Sequence, residues 1–284
     1  MDLFPQVFDC EIYKQNNSDL KDMSEDDLFH HYIRDGKKEG RKCSLITHRG
    51  DLIKLIPDNL SCLEIGPFDN PVLTNCNVKY FDVLNKEDLL ERSKNLNRTQ
   101  NVPHIDYVDE KGNLSVIDEK FDIILSCHSI EHQLDFIKHI NDVSSLLNPA
   151  GIYIVICPDK RYCFDHFISE STIADIIHMN YINNEKHNIK SVIEHRALTC
   201  HNNTILHWDG DHGEQSIFNI QYAIDEYNTG KFIDVHSLQF TPDSFENVIG
   251  LLNKNNFIDM QCDKVYPTVR NSNEFYVILK NKMK

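Results

Sequence analysis

His128 and His132 stand four positions apart in Ser126-Cys127-His128-Ser129-Ile130-Glu131-His132, just after an apolar run. A helix there would bring both imidazoles to one face, and a positioned imidazole can take a proton as general base. Asp159 closes a second apolar run and can do the same, with Arg161, Asp165 and His166 following in one loop. A denser cluster is His207-Trp208-Asp209-Gly210-Asp211-His212-Gly213-Glu214, with Asp234 and His236 soon after. Carboxylates and imidazoles at that density suit a divalent cation, which makes His207, Asp209, Asp211, His212, Asp234 and His236 candidate ligands. The same residues equally suit a polar carbohydrate-binding loop, in which Trp208 stacks on a pyranose face, or a hydrated lid with no particular role.

A second set of groups suits a nucleoside. Glu64-Ile65-Gly66-Pro67-Phe68-Asp69-Asn70 ends a short apolar run in a glycine turn, and Asp82 follows 18 positions after Glu64. A glycine there lets the backbone approach a ligand closely. Glu64 beneath the turn either holds it or binds an ammonium group. A carboxylate at the end of the next strand can accept hydrogen bonds from both hydroxyls of a ribose.

These residues need strands to carry them. LSCLEIG (60–66), VKYFDVL (78–84), HIDYV (104–108), FDIILS (121–126) and GIYIVIC (151–157) read as five strands. Asn85 caps a helix over KEDLLERSK. Phe136, Ile137, Ile140, Val143 and Leu147 share one face of another, which Asn148-Pro149-Ala150-Gly151 stops. Alternating strands and helices imply a right-handed parallel sheet. The pattern loosens over about 160–235. Thr241-Pro242 then starts a capped helix whose apolar face is Phe245, Val248, Ile249 and Leu252. FIDMQCDKVYP and NEFYVILK follow as a final hairpin. Residues 1–45 read separately, as a helical hairpin with Ser24 as N-cap, an apolar face of Leu28, Tyr32 and Ile33, and stops at Gly36 and Gly40.

Five β–α units followed by a helix, a strand and an antiparallel strand resemble the α/β, Rossmann-like fold of class I S-adenosylmethionine-dependent methyltransferases. FDIILSCHSIEHQLD, a helix, LNPAG and an apolar strand over 121–157 resemble the same family's pattern FDxxxxSHxxEHxxD, helix, LxPxG and strand, with Cys127 at the serine position. SCHSIEH, PDKRYCFD, DVHSLQFTPDSFENVIGLL and NEFYVIL are similar to a subfamily associated with methylation of carbohydrate hydroxyls. By that resemblance Glu64, Gly66 and Asp82 contact the cofactor, Pro67 and Phe68 line the same loop, Asp109 lies near the adenine, and Cys127 and His128 follow the fourth strand. The turn departs from G-x-G-x-G, and only 12 positions separate Gly66 from Val78, so other groups would hold the methionine end. Arg49 is the candidate for its carboxylate, a solvated arginine being the alternative. FDxxxYxxxNxDL followed by HYIRDGKKEGR resembles a small module attached to glycosyltransferases, which implies a docking role for residues 1–45; a simple capping extension is the other possibility.

Composition narrows the partners. The formal net charge is −15, which disfavours a nucleic-acid substrate. No apolar run approaches the roughly 20 residues of a membrane span, and the acidic N-terminus carries no export signal, so a cytoplasmic protein is expected. Nine cysteines, none in C-x-x-C, argue against a disulfide framework and suit core filler. The expectation is an O-methyltransferase with residues 1–45 as a module and 46–284 as the methyltransferase domain, 160–235 forming an acceptor lid. Its cofactor would be S-adenosylmethionine, with a divalent metal ion as an optional second. Its substrate would be a sugar hydroxyl of a glycan or nucleotide sugar. His128, Asp159 and His166 are the candidate bases, and Arg161, His207, Trp208, Asp209 and His212 the candidate substrate contacts. Methylation of another small metabolite, or a non-catalytic scaffold in glycan assembly, are the competing readings.

Overall fold

The computed structural model describes residues 3–74, 77–183 and 185–282. The chain opens with two short helices, α1 (Cys10–Asn16) and α2 (Glu25–His31), the second running into a π-helical turn over Tyr32–Gly36. Ser24 caps α2, its side chain accepting from the Asp27 amide. Leu28 and Tyr32 are buried with Tyr13, Leu20 and Cys43 in a small core of their own. Ile33, expected on the same face, is 49% exposed, since the residue after Tyr32 lies about 100° around the helix from it.

Gly40 adopts φ +64, and its carbonyl accepts from the Arg270 amide at 2.8 Å. A Cβ there would lie 2.5 Å from that amide nitrogen and 2.5 Å from the Trp208 ring. Gly40→Ala is therefore expected to destabilise the protein by roughly 1–3 kcal/mol, through left-handed strain and the backbone clash. Urea unfolding checks this against Gly50→Ala, whose added Cβ meets nothing within 4 Å. Equal midpoints for the two variants would mean the contact does not hold the N-terminal segment.

After α3 (Arg49–Ile53) come β1 (Ser61–Ile65), β2 (Asn77–Asp82), α4 (Lys86–Asn95) and β3 (Tyr107–Val108). They are followed by β4 (Phe121–Cys127), α5 (Phe136–Leu146) and β5 (Leu147–Pro158). The stretch expected to be loose holds four helices, α6 (Ile173–Ile182), α7 (Ile189–Ala197), α8 (Thr204–Trp208) and α9 (Ile220–Asn228). The chain closes with α10 (Pro242–Lys254), β6 (Met260–Tyr266) and β7 (Glu274–Asn281). The strands form one sheet in the order β3-β2-β1-β4-β5-β7-β6, with β7 antiparallel to both its neighbours. The order reverses between β1 and β4, which is where an open parallel sheet takes its ligands.

Both faces of the sheet are covered. Leu63, Ile65, Ile124 and Val155 pack under α5 and α10, while Cys62, Ile123 and Ile154 pack against Ile46 and Leu52. That double burial explains the unbroken apolar run of β5. Thr241 caps α10, and Phe245, Val248, Ile249 and Leu252 are buried beneath it. Leu147 is the first residue of β5 rather than part of the α5 face. The third strand is shorter than expected, because the Tyr80 amide donates to the Asp106 carboxylate instead of to a backbone carbonyl. Cys43, Cys62, Cys157 and Cys163 are buried as small hydrophobes; Cys76 lies outside the described residues. No helix among the described residues is long and apolar enough to cross a membrane.

Candidate active site

At the end of β1 the chain turns at Gly66, φ +72, whose amide donates to the Phe81 carbonyl. Glu64 folds beneath the loop that follows. Its carboxylate accepts from the Val72 amide at 2.8 Å and the Leu73 amide at 2.8 Å, so both oxygens are engaged with the loop. Burial pushes this carboxyl up to about 7 against the lowering pull of those amides. Of its two expected roles, the geometry displays the one that holds the turn.

Pro67 is buried in the same loop, and Phe68 sits at φ +46 with its ring beneath the guanidinium groups of Arg92 and Arg98, 5.4 and 4.9 Å away. Asp82, at the end of β2, accepts from the Phe68 amide at 3.4 Å and the Leu84 amide at 3.3 Å. Two long donors leave most of the carboxylate's acceptor capacity unused. Burial raises this carboxyl above its ordinary value, an environment that favours new donors. Asp109 donates its amide to the Asp82 carbonyl and accepts from the amides of Lys111 and Asn113, so it closes the turn after β3.

S-adenosylmethionine fits these groups. A Cβ at Gly66 would stand 3.3 Å from the Ser129 hydroxyl, so the glycine keeps open the gap between the β1 and β4 loops. Asp82 stands at the edge of that region with spare acceptor sites for two ribose hydroxyls.

Across the switch point, Cys127 and His128 leave β4. Burial holds the Cys127 thiol well above its ordinary range, so it stays protonated. His128 has φ +49, which breaks the expected helix; a single 3-10 turn over Ile130–His132 follows instead. The two histidines nevertheless flank one group, the Glu131 carboxylate. His128 Nε2 lies 2.8 Å from Glu274 Oε1, and Arg49 clamps Glu274 through both Nε and Nη2. Burial opposes ionisation of Glu274, but the hydrogen bonds from His128 and Arg49 outweigh it and bring the carboxyl to about 2. Arg49 therefore spends Nε and Nη2 on Glu274 while its side chain stays about a third exposed. Sequence reasoning missed Glu274; its only signal is a lone acid at the mouth of an otherwise apolar strand.

His132 Nδ1 lies 2.8 Å from Asp234 Oδ1, and Arg92 donates to the other oxygen. Burial works against this aspartate, yet those two partners hold it far below the usual carboxylate range. His236 Nδ1 lies 2.6 Å from Asp165 Oδ2. Burial pulls His236 down to about 3 and pushes Asp165 up to about 7, so the imidazole is neutral.

The remaining candidates gather elsewhere. Asp159 is fully buried, paired with both faces of the Arg161 fork and accepting from the Thr268 hydroxyl, which corrects its expected role as a free base. Trp208 has one of its two faces covered. It lies on Tyr162 at 3.7 Å and 9°, its indole N–H donating to the Ser272 carbonyl. The expected six-residue metal set divides. Asp209 pairs with Arg270 and Asp211 accepts from the Gly213 amide. His207 and His212 join His166, which stacks on His212 at 3.6 Å and donates its Nδ1–H to the Arg161 carbonyl. Asp234 and His236 join His132 and Glu131.

A family model described as a methyltransferase domain matches residues 70–155. No curated protein matches the chain. Among solved structures, the mitomycin 7-O-methyltransferase MmcR is similar at 10% identity and TM-score 0.41, over 95% of this chain and 60% of its own; the chain thus spans well under two thirds of MmcR. An S-adenosylmethionine-dependent methyltransferase from Clostridium acetobutylicum is similar at 11% identity and TM-score 0.43, over 91% and 99%. The CcbJ methyltransferase from Streptomyces caelestis is similar at 10% and 0.39, over 78% and 89%. The methyltransferase-domain match across 70–155 falls on the part of the sheet from the loop after β1 into β5, where the strand order reverses.

Proposed function

We propose that the enzyme methylates a hydroxyl of a carbohydrate, within a glycan or a nucleotide sugar. The observation that carries this is the setting of His128. Its Nε2 is fixed by Glu274, itself fixed by Arg49, so Nδ1 is the nitrogen left to meet an acceptor. That nitrogen lies 3.7 Å from Glu131 Oε1, on which His132 and His236 also converge, and this polar cluster at the carboxyl end of the sheet is the acceptor basin of the proposal. A sugar hydroxyl is a weak nucleophile near neutral pH, and a base positioned in this way contributes about 10²–10⁴-fold.

S-adenosylmethionine supplies a methyl group already activated on a sulfonium. The protein's task is to hold the acceptor oxygen in line with it and to receive the hydroxyl proton at His128 Nδ1. Acids and imidazoles around the basin suit several hydroxyls at once, which supports a polyol over an apolar acceptor.

Purified protein incubated with methyl-labelled S-adenosylmethionine and a panel of sugars, nucleotide sugars and oligosaccharides tests the proposal. Label is expected in a carbohydrate. Cofactor binding with label in none of the panel would refute a sugar acceptor and point to another small metabolite. Absence of cofactor binding would point to a scaffold instead.

A further inference from the structure

We propose that Glu131, His132 and His236 form a site for a first-row divalent cation at the edge of the acceptor basin. Glu131 is 1% exposed, and neither of its carboxylate oxygens has a hydrogen-bond partner. An ionised carboxylate in that position is costly unless something answers its charge. Three imidazole nitrogens converge on Oε1: His128 Nδ1 at 3.7 Å, His132 Nε2 at 3.9 Å and His236 Nε2 at 3.7 Å. These separations are too long for hydrogen bonds. They are close to the spacing of ligands around one ion, about 3.3–3.5 Å for tetrahedral bonds of ~2.0–2.1 Å.

The outer contacts support the same assignment. Each of the two histidines gives its Nδ1 to a carboxylate, His132 to Asp234 and His236 to Asp165. A carboxylate on one ring nitrogen directs the lone pair of the other at a metal and fixes the ring's orientation. Here both free nitrogens are Nε2, and both face Glu131. The backbone is pinned to suit: the amides of Ser237 and Leu238 donate to the Glu131 carbonyl, which ties the segment bearing His236 to the turn bearing Glu131. The ligand atoms of Glu131, His132 and His236 all lie within 4.8 Å of one another. His128 falls outside that set, with Nε2 committed to Glu274, so it borders the site instead of closing it.

Two imidazoles and one carboxylate favour zinc, manganese, cobalt or nickel over magnesium or calcium. Three protein ligands leave open positions, as sites that act on substrates do. Taken with the methyl-transfer proposal, on which this part rests, an acceptor hydroxyl in an open position loses its proton more readily. The proton passes to His128 Nδ1. The oxygen then forms its bond to the methyl carbon as the carbon–sulfur bond breaks, the electron pair remaining on sulfur. Nothing is oxidised or reduced.

The test is metal binding by the full chain, after dialysis against a chelator, using Co2+ alone and read by visible absorption and by elemental analysis. About one equivalent is expected in the basin, with a raised thermal midpoint. Glu131→Gln should weaken binding by about 100-fold or more, and Asp234→Asn by about 10–100-fold as an outer contact. His212→Asn should leave it unchanged, since that residue belongs to the separate His166–His207–His212 group. A native chain that binds no Co2+ or Zn2+, or one whose binding survives Glu131→Gln and disappears in His212→Asn, would overturn the site. Metal binding without label in any carbohydrate would uphold the site and refute the sugar acceptor. Chelator-insensitive transfer by a metal-free chain would do the reverse.

Discussion

Asp82→Ala is expected to weaken S-adenosylmethionine binding by about 100-fold or more, measured by equilibrium dialysis of labelled cofactor. Hydrogen bonds to a charged acceptor contribute about 1.5–3 kcal/mol each, and two ribose hydroxyls would be left without their acceptor. The carboxylate's present partners are two amides at 3.4 and 3.3 Å, so little of the fold depends on it. Asp82 is buried with its carboxyl raised by that burial, so its removal should leave the thermal midpoint of the cofactor-free protein nearly unchanged. Asp82→Asn keeps the shape and one acceptor oxygen, and should fall between wild type and alanine. Binding within about threefold of wild type in Asp82→Ala would remove the ribose role and leave the residue as a cap for the Phe68 and Leu84 amides.

Strand ends were legible in the chain because apolar runs buried on both faces have sharp polar limits. The places of Gly66, Asp82 and His128 at strand ends could be read from those limits alone. The rest of the site depends on contacts that no local pattern contains. Glu274 meets His128 across 146 positions, and Asp234 meets His132 across 102. Glu131 looked like an ordinary neighbour of His132 until burial stripped it of partners. The density of acids and histidines over 207–236 was real, but the fold sends its members to different neighbours: Asp209 to Arg270, His212 to His166, His236 to Asp165. The four helices in the expected lid were hidden for a related reason. They are short, and their stability comes from docking, as where Val192, Ala223, Ile233 and Val235 form a core that no single periodicity displays. Trp208 shows the same limit: nothing local foretells that Tyr162 occupies one face of the indole.

His128→Asn is expected to lower kcat by about 10²–10⁴-fold while cofactor affinity stays within a few-fold. Asparagine is chosen because His128 sits at φ +49, a left-handed conformation that Asn tolerates and Ala does not. Loss of activity then reports the imidazole rather than backbone strain. Glu274→Gln examines the same dyad one step back. It should lower kcat less than His128→Asn does, because the imidazole remains but loses the charged partner that orients it. It should also leave a signature in stability. Folded Glu274 titrates at about 2 against an ordinary 4.5. Its contribution to stability is therefore present above about pH 4.5 and is lost as pH falls toward 2. In Glu274→Gln that part of the acid limb should flatten, and urea midpoints across this range would show it. A full-rate His128→Asn enzyme would reject the imidazole as base. An unchanged acid limb in Glu274→Gln would mean the Arg49–Glu274–His128 chain does not hold in solution, and with it would go the reason for Nδ1 to face the acceptor.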